Sequence, residues 1–175
     1  APAMGGRTGD HDPAVVFHLI RNAHMSVDEL DTLFNKRSGM MGLTGFGDLR
    51  EVHRLVEEGN EDAKLALDIY VHRIVGYIGN YTAQMGGVDV ITFTAGVGEN
   101  DDVVRKMVCD KLAPFGVKLD EEKNATRSKE PRIISTPDSA VTICVIPTNE
   151  ELAIARKSAA IAEEGKDSYG NVFSK

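Results

Sequence analysis

The segment from Thr92 to Arg105, TFTAGVGENDDVVR, has residue types and spacing that could bring the backbone close to a polar ligand. An apolar run ends there in Gly96 and Gly98, and a helix is predicted to begin at Asn100. Glycines allow a close approach, and a helix start offers unpaired N–H groups and a positive dipole. The segment lacks the third glycine of the dinucleotide fingerprint and the Gly-Lys-Ser/Thr ending of a phosphate loop. A nucleotide-binding turn and an ordinary strand-to-helix turn therefore both stay open.

A second candidate lies in PTNEELAIA, residues 147–155, at the predicted start of the last helix. Thr148 and Glu151 have the spacing of a capping box, which gives them a structural role. Glu150 has no such role, and its carboxylate would project near the carboxyl end of the preceding predicted strand, where ligands of α/β sheets gather. It either holds Mg²⁺ beside phosphates or complements the helix dipole as a first-turn acid.

Two arginines could contact phosphate oxygens. Arg7 stands between glycines in GGRTG, where it is poorly placed for packing and well placed to fork onto an anion. A solvated loop arginine is the alternative. Arg50 follows Asp48 and Leu49, but here Asp48 could simply cap a helix and Arg50 could be a solvated helical residue.

The histidines and cysteines do not have the spacing of metal or redox sites. None of the five histidines lies at metal-ligand spacing, so surface positions or satisfied, partly buried positions are predicted for them. Cys109 and Cys144 lie far apart in apolar surroundings, which predicts buried, reduced thiols.

Composition and charge limit the class of protein. The 175 residues are 42% hydrophobic and carry a formal net charge of -7. This size allows one domain with a sizeable core, and the negative charge argues against nucleic acid or an anionic membrane as partner. No apolar run approaches the roughly 20 residues that span a bilayer, and no leader opens the sequence. We expect a soluble, cytoplasmic protein.

The elements that must position these residues follow an α/β order. Caps at Asp12-Pro13, at Ser26 with Glu29, and at Asp48 with Glu51 predict three helices, and the last two pairs have capping-box spacing. A loop over residues 38–47 is predicted before the third helix. The remaining predicted elements are a helix at 61–85, a strand at 88–96, a helix at 101–116, strands at 132–137 and 141–147, and a helix at 150–164. We therefore predict helices packed on a short, mostly parallel sheet, in one partial domain over 1–165 with a frayed tail at 166–175.

Two of these elements are predicted to be buried. The long helix has one apolar face, formed by Leu67, Val71, Ile74, Ile78 and Tyr81. Gly76 and Gly79 would permit close backbone approach there. The strand VDVITFTAG is apolar on both faces, which predicts a buried parallel strand.

Five ordered blocks together resemble the acetate kinase family, from about Gly5 to Glu164. They are GGRTGDHDPAVV, KRSGMMGLTG, GDLREV, FTAGVGEN and IPTNEELAIAR. This resemblance implies reversible transfer of the γ-phosphoryl group of ATP to acetate with Mg²⁺, giving acetyl phosphate and ADP. It also implies the ribonuclease H-like, actin-like ATPase fold, with residues 1–165 forming part of the carboxyl-terminal, nucleotide-binding domain. Butyrate and propionate kinases are close relatives and remain alternatives.

The resemblance also assigns roles to residues. Arg7 matches the catalytic arginine that stabilises the transferring phosphoryl group, and Glu150 matches the acidic Mg²⁺ ligand. The matches to nucleotide-contacting residues are Asp48, Leu49, Arg50, Gly96, Val97, Gly98, Glu99 and Asn100. Phosphoryl transfer needs mainly positioning and charge neutralisation, which these residue types supply. The family further implies homodimers formed through this region.

The chain departs from the family's pattern in two ways. GFGDLR is one residue shorter than the family's usual Gly-x-Ser-Ser-Asp-x-Arg and lacks its serine pair, which leaves the contacts of Asp48 and Arg50 open. The family's amino-terminal domain, which carries the acid pocket, has no counterpart in these residues. We expect the reading frame to continue upstream and the chain alone to be inactive; a stand-alone nucleotide-binding or dimerisation module is the alternative.

Overall fold

The computed structural model describes residues 4–164 and combines α-helices with a small sheet. Its elements are α1 (Ala14–Asn22), α2 (Val27–Lys36), α3 (Gly39–Thr44), α4 (Leu49–Glu57), α5 (Glu61–Met85), β1 (Val90–Phe93), α6 (Ala95–Asn100), α7 (Asp102–Lys111), a 3₁₀ turn (Ala113–Phe115), α8 (Glu121–Ala125), β2 (Arg132–Ile133), β3 (Thr142–Val145) and α9 (Glu150–Glu164). This order confirms the predicted α/β arrangement. The tail predicted at 166–175 lies outside the described residues.

Local capping sets the first helix starts. At α2 the Ser26 hydroxyl accepts a hydrogen bond from the Glu29 N–H, and the Glu29 carboxylate accepts one from the Ser26 N–H at 2.7 Å. The predicted capping box is therefore confirmed. At α1 the Asp12 carboxylate accepts from the Ala14 N–H at 2.8 Å, one residue from the predicted start. Such a shift is the usual uncertainty in a helix boundary.

The prediction of a loop over 38–47 is wrong in its centre, where α3 forms. Met40 of α3 is 1% exposed and packs in a cluster with Val52 of α4 and Ala63 of α5. This burial overrides the low helix propensity of the glycine-rich sequence. Gly39 begins the helix at φ +60, and a Cβ at this position would collide with the carbonyl oxygen of Met4. Only glycine fits both the backbone conformation and the close approach.

The sheet has the strand order β1-β3-β2. β1 pairs parallel with β3, with Ile91 opposite Ile143 and Phe93 opposite Val145, whereas β2 pairs antiparallel with β3. The sheet is thus mixed, with one parallel pair and one antiparallel pair of strands among the described residues, so the prediction of a mostly parallel sheet holds only for β1 and β3. The parallel pairing of β1 is confirmed, but its predicted burial on both faces is wrong: Val90 is 53% exposed. β1 lies at the edge of this sheet. Among residues 4–164, helices cover one face of the sheet, the face that carries Ile91 and Phe93.

The main core lies between that face and helices α5 and α7. It contains Leu67 and Val71 of α5 and Val104 and Val108 of α7, packed against the strands. The predicted apolar face of α5 is confirmed in its first part, but Tyr81 is 54% exposed.

The close backbone approach predicted at Gly76 and Gly79 is not found, because a Cβ at either position would meet nothing within 4 Å in the described part of the chain. Among residues 4–164, no helix has the length and apolarity needed to cross a bilayer.

Candidate functional site

The carboxyl ends of β1 and β3 lie at the same edge of the sheet because the two strands are parallel neighbours. β1 leads into α6, and β3 leads through residues 146–149 into α9. A direct contact joins the two segments: the carboxylate of Glu99 accepts hydrogen bonds from the Thr148 N–H at 2.7 Å and the Thr148 hydroxyl at 2.9 Å. The segment that follows β1 and the segment that precedes α9 therefore meet.

The capping box predicted for Thr148 and Glu151 does not form. Asn149 caps α9 instead, with its side-chain oxygen accepting from the Leu152 N–H at 2.9 Å. The Thr148 hydroxyl is engaged by Glu99, an interaction that sequence spacing could not reveal because 49 positions separate the two residues. Glu150 is the first residue of α9, and its side chain is exposed.

The glycine-containing segment is helical earlier than predicted. α6 begins at Ala95 rather than at Asn100, and Asp101 separates it from α7 by adopting extended backbone angles. Asp101 then caps α7, because its carboxylate accepts from the Val104 N–H at 2.9 Å. A Cβ at Gly98 would lie 3.2 Å from the backbone carbon of Phe93, so this glycine allows α6 to pack closely on the strand that precedes it.

A cleft of about 990 Å³ opens between the start of α4 and the segment formed by α6 and the start of α7. Six of the residues predicted to contact a nucleotide line it: Asp48, Leu49, Arg50, Gly96, Val97 and Asn100. Its volume is in the range of small-molecule and cofactor sites. Two stretches that are about 45 positions apart in the sequence thus border one cavity, which is the arrangement expected of a ligand site.

Four predicted site residues do not line this cleft: Arg7, Gly98, Glu99 and Glu150. The Arg7 side chain is exposed, while its carbonyl accepts from the Met4 N–H at 3.2 Å. Met4 and Gly5 do line the cleft, so the segment that carries Arg7 adjoins it.

Asp48 and Arg50 are bound to each other at the cleft mouth. Asp48 caps α4 by accepting from the Arg50 N–H at 2.9 Å, and its carboxylate lies 2.5 Å from the Arg50 guanidinium. These hydrogen bonds lower the pKa of Asp48 to about 2. The predicted pairing of Asp48 with Glu51 in a capping box does not form, because Glu51 binds Arg54 at 3.1 Å instead. The carboxylate of Asp48 is therefore ionised at neutral pH and neutralises part of the arginine's charge.

A histidine–aspartate pair also borders the cleft. His53 Nε2 lies 2.7 Å from Asp101 Oδ2, and both side chains are largely buried. The hydrogen bond to Asp101 raises the pKa of His53 against the opposing effect of desolvation. This agrees with the satisfied, partly buried position predicted for histidines, but the partner could not be predicted because 48 positions separate the two residues.

Arg105 is a second residue whose role the sequence did not reveal. Its side chain is 2% exposed and donates to the carbonyl oxygens of Gly98 and Glu99 at 2.9 and 3.0 Å. It also donates to the side-chain and backbone oxygens of Asn124, both at 2.7 Å. Desolvation lowers the pKa of Arg105. The signal in the sequence was weak: an arginine on the face of α7 that also carries Val108 and Cys109.

The two cysteines are free thiols, as predicted. Cys109 is buried, and desolvation raises its pKa to about 12. It is therefore protonated and unreactive at neutral pH. Cys144 on β3 is half-buried.

The comparisons with known proteins agree on one family. The acetate kinase of Leifsonia xyli subsp. xyli is 56% identical over 155 residues, which cover 89% of this chain and 39% of the relative. A crystal structure of Porphyromonas gingivalis acetate kinase superposes with a TM-score of 0.84 at 40% identity, over 93% of this chain and 41% of that one. A propionate kinase from Francisella tularensis subsp. tularensis SCHU S4 has a TM-score of 0.81 at 38% identity, over 89% of this chain and 40% of that one.

These likenesses confirm the α/β class and the actin-like ATPase fold, of which the chain forms a part. The chain spans about 40% of the length of the curated relatives that it matches. The sequence model of the Acetokinase family matches residues 2–156, most of the chain. On this match, together with the identities above, the chain belongs to the acetokinase family.

Proposed function

We propose that this chain supplies the nucleotide-binding side of an enzyme that transfers the γ-phosphoryl group of ATP to acetate. A carboxylate oxygen of acetate forms the new bond to the γ-phosphorus, the bond from that phosphorus to the bridging oxygen breaks, and ADP leaves. Acetyl phosphate is the other product, and the reaction is reversible. The names of the relatives support the choice of reaction.

The observation that carries this proposal is the shared cleft between α4 and α6. Asp48, Leu49 and Arg50 border it on one side, and Gly96, Val97 and Asn100 border it on the other. Gly96 leaves open space, since a Cβ there would meet nothing within 4 Å among the described residues. An adenosine group could therefore lie against the backbone of α6, with Arg50 at the mouth of the cleft.

Arg7 and Glu150 are proposed to act on the phosphates rather than on the adenosine. Arg7 is exposed, and Met4 and Gly5 of the same segment line the cleft. Its guanidinium is proposed to contact the transferring phosphoryl group. A forked guanidinium would neutralise charge on the equatorial oxygens as the loose transition state forms. Gly98 is proposed to hold the shape of the nucleotide segment, because it allows α6 to pack closely on β1.

Glu150 is the residue proposed to hold Mg²⁺. Its carboxylate is exposed at the start of α9 and forms no salt bridge within the described residues. Within 4–164 there is no cluster of three or more histidine, cysteine, aspartate or glutamate residues suited to a metal ion. A single carboxylate fits Mg²⁺, which usually takes one or two carboxylates together with phosphates and waters. The ion, when bound, would offset the negative charge of the phosphates.

We further propose a homodimer and a cytoplasmic location. Large apolar side chains on three helices are exposed, among them Phe17 of α1 at 54%, Met85 of α5 at 67% and Ile154 of α9 at 64%. Where such side chains adjoin in one patch, they mark a surface that another protein segment covers. A second copy of the protein is the proposed occupant.

Propionate is the main alternative acceptor, because one of the similar structures is a propionate kinase. Butyrate is a further alternative, and a module that binds nucleotide without catalysis is the alternative from another class. These possibilities can be separated by measuring acyl phosphate formation from ATP with acetate, propionate or butyrate. The measurement uses the complete protein, which is the product of the whole reading frame that encodes this chain. We expect acetate to give the highest kcat/KM and the 175-residue chain alone to give negligible turnover. Substantial turnover by the chain alone would refute the proposal that this chain supplies only the nucleotide-binding side of the enzyme.

Nucleotide binding at the cleft can be tested by filling it. Gly96→Leu should weaken ADP binding by about tenfold or more, which corresponds to at least about 1.4 kcal/mol. Gly79→Leu is the matched control, because a Cβ at Gly79 also meets nothing within 4 Å of the described residues and α5 does not border the cleft at this position. Equal ADP affinity in both variants would refute the location of the site.

A further inference from the structure

Glu99 was expected to contact the nucleotide, but its carboxylate points elsewhere. One carboxylate oxygen accepts from both the N–H and the hydroxyl of Thr148, and Glu99 does not border the cleft. The two hydrogen bonds from Thr148 lower the pKa of Glu99, the one from the backbone N–H more strongly. The Glu99 side chain is therefore ionised at neutral pH, and it is held by Thr148 in the segment that precedes α9.

The backbone of Glu99 is held from the opposite direction. Its carbonyl oxygen and that of Gly98 accept hydrogen bonds from the buried guanidinium of Arg105 at 3.0 and 2.9 Å. Arg105 is in turn fixed by Asn124 of α8. The end of α6 is thus tied to the core through its backbone, while its one acidic side chain reaches across to the neighbouring segment.

Thr148 is free to make this contact because it does not cap α9. Asn149 performs the capping, and Glu150 is the next residue. Only one residue separates Thr148 from Glu150. Loss of the Glu99–Thr148 contact would therefore free the segment just before Glu150 from α6, and the position of the Glu150 carboxylate relative to α6 would change.

We propose that Glu99 and Thr148 form a positioning pair that fixes the Glu150 carboxylate relative to the nucleotide cleft, and that Glu99 does not itself contact the nucleotide. This inference rests on the proposed function, in which Glu150 holds Mg²⁺ and α6 borders the nucleotide. Loss of the pair would leave the adenosine side of the cleft intact and would displace the metal ligand. Nucleotide binding without Mg²⁺ should then be unchanged, whereas the increase in nucleotide affinity that Mg²⁺ causes should be reduced.

The test is calorimetric ADP binding to the complete protein, with Mg²⁺ and with the metal removed by EDTA. The measured quantity is the ratio of the Kd for ADP without Mg²⁺ to the Kd with Mg²⁺. Glu99→Ala should lower this ratio about three- to tenfold and should leave the Mg²⁺-free Kd within about twofold of the wild-type value. Thr148→Val removes the hydroxyl but keeps the N–H, so its effect should be smaller. Thr148→Ser should retain most of the wild-type Mg²⁺ effect.

A double variant tests whether the two residues act as one unit. Glu99→Ala with Thr148→Val should be no worse than Glu99→Ala alone, because the first change already removes the contact. Additive losses would show that the residues act independently and would overturn the pairing. A Glu99→Ala variant that weakens Mg²⁺-free ADP binding as much as Mg²⁺-dependent binding would identify Glu99 as a nucleotide contact and would equally overturn it.

Failure of this inference is distinguishable from failure of the proposed function. If Mg²⁺ does not strengthen ADP binding to the wild-type protein, or Glu150→Ala leaves that strengthening unchanged, the role of Glu150 is refuted and the positioning pair with it. If Glu150→Ala abolishes the Mg²⁺ effect while Glu99→Ala preserves it, the proposed function survives and the positioning pair alone is refuted.

Discussion

Replacing His53 by glutamine should destabilise the protein at acidic pH and much less at alkaline pH. His53 of α4 contacts Asp101, the residue that caps the start of α7, with 2.7 Å between Nε2 and Oδ2. The side chains are 22% and 12% exposed, so solvent screens the pair only partly. Glutamine can still donate a hydrogen bond to the Asp101 carboxylate but carries no positive charge, which makes this substitution a test of the charge on His53 rather than of the bond itself.

The magnitude depends on the attraction between the protonated imidazole and the carboxylate. An exposed ion pair contributes about 0.2–1 kcal/mol, and this pair is largely buried, so removal of the positive charge should cost about 1 kcal/mol. The carboxylates that face His53 are Asp101, Glu57 and Asp102, and all three favour its protonated form. Because the pKa of His53 is raised in the folded protein, this stabilisation is full below the unfolded pKa of about 6.5 and is lost as the pH rises through the folded pKa.

The assay is urea unfolding of wild-type and His53→Gln protein at pH 5.5, 7 and 9. The difference in unfolding free energy should be largest at pH 5.5 and should shrink toward pH 9. His18→Gln is the control, because His18 is exposed on α1 and contacts Asn22 of its own helix. A difference that stays constant over this pH range, or grows with pH, would refute the reasoning.

Three further predictions concern stability and catalysis. Arg105→Met should lower the unfolding free energy by about 3 kcal/mol or more, because four hydrogen bonds from a buried guanidinium are lost; a loss under about 1 kcal/mol in urea unfolding would contradict this. Arg7→Ala should lower kcat by about tenfold to a hundredfold with little change in the KM for ATP, and an unchanged rate would make Arg7 a loop residue. Glu150→Ala should raise the Mg²⁺ concentration needed for half-maximal activity, and an unaltered metal titration would leave only a helix-dipole role for Glu150.

Features set by neighbouring residues were predictable from the sequence. The Ser26 capping box and the bounds of α5 and α9 match their predictions, because caps and apolar periodicity act within a few positions. The two stretches that border the cleft are those that the resemblance to the acetate kinase family indicates. The parallel pairing of β1 and β3 places the segments after these strands at one edge of the sheet. The pattern of residues was therefore sufficient to indicate the class of fold, whereas the roles of the site residues stay a prediction that rests on the family resemblance.

Features set by distant residues were not predictable. The glycine-rich α3 is helical because Met40 packs into a core formed with α4 and α5. Thr148 forms a contact with Glu99 in place of the cap that its spacing predicts. The partner of the buried Arg105 lies 19 positions away in α8. In each case a tertiary contact decided between conformations or partners that the local sequence left equally available.

A crystal structure of the complete protein with ADP and Mg²⁺ tests the central claim most directly. We expect the adenosine between the start of α4 and α6, in contact with Gly96 and Asn100, with the phosphates directed toward Glu150. A nucleotide bound at another surface, with the cleft between α4 and α6 left open, would contradict it.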